Sequence, residues 1–100
     1  MKIKTSELTG AAFNWAVCKC EGEQLSRYTK YSTDWAQGGP IIEREGIALH
    51  LWSSEEWIGD MGDWEARGST PLIAAMRCYV ASKLGDEVEV PDELVEGETT

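Results

Sequence analysis

The sequence predicts an α+β domain in which a small, mostly antiparallel sheet of about three strands carries two principal helices packed on one face. Two long segments have helical apolar spacing with capping residues, and several short segments have alternating apolar residues between turns. The length of 100 residues, with 42% hydrophobic and 27% charged residues, suits one folded domain. We expect a single compact domain over residues 1–95 and a frayed acidic tail over residues 96–100. This length excludes a doubly wound nucleotide-binding fold or a barrel enzyme within one chain.

The N-terminal segment predicts a strand followed by a helix. The alternating lysines of Lys2-Ile3-Lys4-Thr5 are typical of a protected edge strand. Ser6 can cap a helix over residues 7–21, which the following glycine ends. Gly10 lowers helix propensity by about 1 kcal/mol relative to alanine and favours a start at Thr9 instead. Because apolar side chains cover most of its circumference, we expect this helix to be the central one, buried between layers.

Residues 22–40 have little regular pattern and predict a loop or a ragged strand. Gly38-Gly39-Pro40 is typical of a tight turn that needs glycine dihedrals. Proline at the first position of a helix is favourable, so Pro40 can start a short helical turn through residues 41–45.

The next segment predicts most of the sheet. Residues 47–52 alternate as a strand that places one apolar set, Ile47, Leu49 and Leu51, on a single face. Residues 53–68 are acidic, contain glycine and are rich in tryptophan. They are expected to hold a hairpin, with residues 63–67 as a weak strand.

The C-terminal third predicts the second principal helix. A hydroxyl cap at Thr70 and a proline after it predict a helix over residues 71–84, ended by a glycine. Residues 87–90 then predict a short strand, and residues 91–94 a last helical turn. One arc of the helix carries small side chains that would let another helix approach closely, within the chain or across a homodimer: Ala74, Ala75, Cys78 and Ala81.

Charge and composition restrict the classes of partner that the protein can have. The net charge is −9, and residues 31–68 carry eight Asp/Glu against two Lys/Arg. An acidic surface repels phosphate, so we expect no nucleic-acid partner. The negative charge is most simply explained by solubility; the alternatives are attraction to a basic partner and imitation of nucleic acid. No apolar run approaches the roughly 18 residues of a membrane helix, so no membrane partner is expected. The absence of a secretory signal and the three cysteines indicate reduced thiols in the cytoplasm.

Potential catalytic and metal-binding residues are few. The soft ligands are Cys18, Cys20, Cys78 and His50, whereas zinc usually needs four converging groups. On a helix, Cys18 and Cys20 point about 200° apart and would not share an ion. No nucleophile motif accompanies His50, and the carboxylates lack a metal-loop or acid–base spacing. We therefore predict no metal, no cofactor and no catalytic residues.

Five tryptophans are many for this length. Trp15 belongs to the core by its helical position, whereas Trp35, Trp52, Trp57 and Trp64 lie in or beside the acidic middle segment. These four either fill a thin core or serve as aromatic anchors for a partner, because tryptophan suits interfaces.

Three segments resemble a known family. They are residues 4–10 (KTSELTG), residues 32–47 (STDWAQGGPIIEREGI) and residues 70–85 (TPLIAAMRCYVASKLG). The chain is similar to the NinX-like family of lambdoid phages and enterobacterial prophages. The resemblance implies a small protein made inside an infected or lysogenic bacterium. It carries over no activity, cofactor or catalytic residue.

The sequence leaves three functional hypotheses. The first is a non-enzymatic accessory protein that binds an unknown host or phage protein through apolar anchors in an acidic rim. The second is a small-molecule binder or enzyme with a pocket near residues 38–45, where Arg44 contacts an anion. The third is an acidic mimic of nucleic acid. The binding residues predicted under the first two hypotheses are Asp34, Trp35, Gln37, Gly38, Gly39, Arg44, Trp52, Trp57 and Trp64.

Overall fold

A long C-terminal helix organises the computed structural model, which describes residues 1–95. This helix, α3, contacts a three-stranded sheet and both other helices. The α+β prediction is confirmed, with three helices and five strands in the described residues. In chain order they are β1 (Lys2–Lys4), α1 (Gly10–Glu21), α2 (Trp35–Glu45), β2 (Ala48–Ser53), β3 (Glu56–Asp60), β4 (Glu65–Gly68), α3 (Pro71–Leu84) and β5 (Glu87–Glu89), with 3₁₀ turns at Thr5–Glu7 and Asp92–Leu94.

The strands form two antiparallel sheets instead of one. The N-terminal strand β1 pairs with β5, with Ile3 opposite Val88. The other sheet has the order β2-β3-β4, which is a meander of two consecutive hairpins. Its second hairpin confirms the one predicted within residues 53–68. The predicted acidic tail, residues 96–100, lies outside the described residues.

Local capping signals place both predicted principal helices correctly. Thr9 is the N-cap of α1, so the later of the two predicted starts is the observed one, and Gly22 ends the helix with a left-handed φ of 73°. The side-chain oxygen of Thr70 accepts a hydrogen bond of 3.1 Å from the N–H of Ile73 at the start of α3. No helix of residues 1–95 is long and apolar enough to cross a bilayer.

The central position belongs to α3 and not to α1. The sequence indicates α1 because its apolar surface is broad, but α3 is the helix on which the three-stranded sheet packs. A Cβ on Gly59 would lie 2.7 Å from the carbonyl oxygen of Ala74, and one on Gly68 only 2.6 Å from its nitrogen. Glycine in β3 and β4 therefore lets the sheet backbone rest directly on the helix.

The small-residue arc of α3 is used inside the chain. All four of its side chains are buried: Ala74, Ala75, Cys78 and Ala81. The strands β3 and β4 approach this arc closely at Ala74 and Ala75. Of the two alternatives that the sequence left open, the arc packs within the chain; the homodimer stays a prediction.

The turn predicted at Gly38-Gly39-Pro40 is wrong, because these residues lie inside α2. Asp34 caps this helix, and its carboxylate accepts a hydrogen bond of 2.9 Å from the N–H of Ala36. A Cβ on Gly38 would lie 2.5 Å from the carbonyl oxygen of Tyr31 and 2.6 Å from a methyl of Leu72. Gly38 is thus required for close packing against α3 and not for turn dihedrals.

Candidate functional site

The exposed fraction of each indole distinguishes the tryptophans that could contact a partner from those that pack in the core. Trp52 is 59% exposed, Trp35 is 51% exposed and Trp64 is 37% exposed. Trp15 and Trp57 are half-buried. Three of the five rings therefore present substantial apolar area to solvent, more than the packing of the domain needs.

The most exposed indole belongs to a built feature of the sheet. The guanidinium carbon of Arg67 on β4 lies 4.7 Å from the centroid of the Trp52 ring. Arg67 is also held 3.6 Å from the carboxylate of Glu56 on β3. Trp52 and Arg67, which we call the Trp52 platform, thus form a stacked cation–π pair across the outer face of the sheet.

Sheet register explains why this platform faces solvent. Gly68 lies against α3, and its cross-strand neighbours Trp57 and then Leu51 point to the same side. Ile58 and Arg67 therefore point to the opposite, outer face, where Arg67 is exposed but Ile58 is buried. Pairing of β2 with β3 is irregular between Leu51 and Ser53, which leaves Trp52 without an opposite residue on β3. Leu51 is 60% exposed beside it.

Sequence reasoning missed Leu51 and Arg67. Leu51 was placed on the apolar face of a strand, but β2 is an edge strand and its C-terminal half extends beyond the cover of α3. Arg67 carried no signal in the sequence, because its pairing with Trp52 spans both hairpins.

The predicted aromatic anchors do not form one surface. Trp52 adjoins the β2–β3 connection, whereas Trp64 lies in the β3–β4 turn. The length of β3 separates these two ends by about 13 Å. The backbone carbonyl of Trp64 accepts hydrogen bonds from the N–H of Met61 at 2.9 Å and from the thiol of Cys78 at 3.2 Å. These bonds involve the backbone of Trp64 and not its indole.

Asp34 and Gln37 hold the preceding loop to α2. Asp34 caps the helix, as described above. The side-chain amide of Gln37 donates a hydrogen bond of 2.8 Å from Nε2 to the carbonyl of Tyr28. The Oε1 atom of Gln37 accepts a hydrogen bond of 2.7 Å from the N–H of Lys30. Both side chains are thus committed to internal bonds, as Gly38 is to packing.

Arg44 is a clamp between helices. Its guanidinium donates two hydrogen bonds, of 3.1 and 2.7 Å, to the carboxylate of Glu21 on α1 and one of 2.8 Å to Glu45. It also lies 3.1 Å from the hydroxyl of Tyr79 on α3. The hydrogen bond from Arg44 lowers the pKa of Glu21, while burial and then the adjacent Glu21 carboxylate raise the pKa of Tyr79.

A groove of about 410 Å³ borders this clamp, and Tyr28, Tyr31 and Pro40 also line it. Because two carboxylates already neutralise Arg44, the guanidinium offers little to a ligand anion. The predicted pocket near residues 38–45 therefore exists as an open groove, but without a free cation.

The carboxylates of the acidic middle segment are partly engaged. Glu45 pairs with Arg44, Glu56 with Arg67, and Asp60 lies 3.9 Å from His50. Such pairing leaves fewer free negative charges for imitation of a phosphate backbone.

The thiols are unreactive by environment. Cys18 and Cys78 are buried and Cys20 is half-buried, and all three are free. Burial raises the pKa of Cys20 and of Cys78 to about 11, so both are protonated at neutral pH. Within residues 1–95, no group of three or more His, Cys, Asp or Glu side chains could hold a metal ion.

The comparison with protein families assigns the chain. The family described as Bacteriophage P22, NinX matches residues 4–83 of the 100. The chain belongs to this NinX family. The resemblance seen in three segments is thereby confirmed and extends over the hairpins that carry the Trp52 platform. No curated protein matches the chain.

Proposed function

We propose that this NinX family member is a non-enzymatic phage accessory protein that binds another protein through the Trp52 platform. The main observation that supports this proposal is the stacked, solvent-exposed pair of Trp52 and Arg67 on the outer face of the sheet. Tryptophan and arginine are the residue types most enriched among those that dominate binding energy at interfaces. The exposed Leu51 beside them enlarges the apolar contact.

Charge supports a basic partner. The net charge is −9, and two carboxylates follow Trp52 closely along the chain, Glu55 in the β2–β3 connection and Glu56 at the start of β3. Carboxylates at the rim of an apolar anchor steer an oppositely charged partner and accelerate its association. We place this binding in the cytoplasm of the bacterial host, which the three free thiols support.

Capture from phage-infected bacterial cells tests the proposal. The protein is immobilised, and captured proteins from infected and uninfected cells are compared for the wild type, Trp52→Ala and Trp35→Ala. Trp35 is almost as exposed as Trp52 but lies on α2, so it is a matched control. We expect Trp52→Ala to lose the specific partner while its melting temperature stays within a few degrees of the wild type, and Trp35→Ala to retain the partner.

Two further results would decide against the platform. Equal capture by Trp52→Ala and the wild type would remove Trp52 as an anchor. Capture lost only with Trp35→Ala would move the binding surface to the start of α2. A basic partner should also dissociate more readily at high salt, since rim charges are screened.

A further inference from the structure

The free edge of β2 differs from the other strand edges of the described chain. The small sheet carries lysines on β1, at Lys2 and Lys4, and carboxylates on β5. Such charges discourage edge-to-edge pairing. The strand β2, with sequence ALHLWS, has none, and five of its six residues are exposed. It is an edge strand of its sheet, with β3 on one side only.

Charge singles out a second copy of this strand as its partner. The chain has a net charge of −9, yet β2 has no ionised side chain when His50 is neutral. Like charges directly opposite each other destabilise a pair of strands. Two copies of β2 can pair without bringing any such charges into the ladder, although the rest of each molecule is strongly acidic.

Symmetry restricts the register. In a continuous antiparallel sheet across a twofold axis, each face of one copy continues the same face of the other, so residues of the same parity lie opposite each other. Centring the axis on Leu51 pairs Leu51 with Leu51 and Trp52 with His50. Centring it on His50 would instead place two imidazoles opposite each other, which repel once protonated.

We propose that two copies of this chain pair through antiparallel β2 strands centred on Leu51, which makes a continuous six-stranded sheet. Leu51, which is 60% exposed in the single chain, is covered by its symmetry mate beside Trp57. On the outer face, the two Trp52 platforms come side by side across the axis. The pairing does not depend on the proposed function, because a dimer can form whether or not the platforms bind a partner.

Sedimentation equilibrium of the full chain, from micromolar to millimolar concentration, tests the pairing. The wild type should form a dimer, and higher salt should strengthen it because it screens repulsion between acidic copies. Leu51→Lys should weaken the dimer at least about tenfold, since it places two like charges opposite each other at the axis. Tyr28→Lys makes the same change of charge at a residue that is 69% exposed and outside the sheet, and should leave the dimer intact.

Disulfide trapping tests the register. In the proposed dimer the two copies of residue 51 face each other, within the distance that a disulfide needs, whereas the two copies of residue 53 lie about 13 Å apart along the strands. Oxidised Leu51→Cys should therefore give a covalent dimer and Ser53→Cys should not. The native thiols are a background common to both variants. A wild type that is monomeric throughout, equal effects of the two lysine variants, or trapping through residue 53 would overturn the proposal.

Discussion

Replacing the adjacent glycines of α2 one at a time measures how closely this helix packs on α3. Both Gly38 and Gly39 lie inside α2, and neither has a positive φ. A Cβ on Gly38 would lie 2.5 Å from the carbonyl oxygen of Tyr31 and 2.6 Å from a methyl of Leu72. A Cβ on Gly39 would lie 3.8 Å from the Trp35 ring, which is an ordinary van der Waals contact.

The two substitutions change the free energy of unfolding through one contribution that they share, helix propensity, and one that only Gly38→Ala has, steric overlap. Each replaces glycine by alanine within a helix, which favours folding by about 1 kcal/mol. Only Gly38→Ala also forces an overlap with a backbone carbonyl, and overpacking of this kind costs typically about 1–3 kcal/mol. The helix propensity gain cancels in the comparison, so Gly38→Ala should be less stable than Gly39→Ala by about 1–3 kcal/mol.

Urea and thermal unfolding of the two variants and the wild type provide the assay. For a domain of this size each 1 kcal/mol shifts the melting temperature by about 4–8 °C. We expect Gly39→Ala to melt above the wild type and Gly38→Ala to melt clearly below Gly39→Ala. Equal melting temperatures for the two variants would refute the argument, because they would mean that α2 does not approach Tyr31 and Leu72 so closely.

Three further predictions concern acid stability, helix capping and the thiols. Glu21→Gln should lower the free energy of unfolding at neutral pH. Because Arg44 lowers the pKa of Glu21 below its ordinary value of 4.5, this deficit should shrink as pH falls from about that value through the lowered pKa. Denaturation across pH checks it, with the exposed Glu43→Gln as a control whose deficit at neutral pH should be small. Thr70→Ala should cost about 1 kcal/mol in chemical denaturation, and Thr9→Ala much less, because the Thr9 side chain makes no capping bond. A disulfide reagent at pH 8 should label the three thiols slowly in the folded chain and rapidly in urea, since burial raises their pKa. Fast labelling of the folded chain would show that the thiols are not buried with a raised pKa.

Much of the local structure was predictable because its causes are local. The cap at Thr70 and the glycine after α1 fix helix ends through hydrogen bonds and dihedrals within a few residues of chain. Alternation likewise predicted β2 to within one residue at each end. The candidate site was only half predictable. Trp52 was an expected anchor, but Arg67 joined it only through the pairing of three strands.

The sequence by itself determined the α+β class, both principal helices, the second hairpin and the NinX family. Only the tertiary structure decided that α3 is central, that Gly38 serves packing, and that the small-residue arc of α3 is covered by strands. The physical reason is that an apolar or small side chain signals that something packs on it, but not which element does. That choice depends on contacts between residues far apart in the chain, which no local pattern encodes.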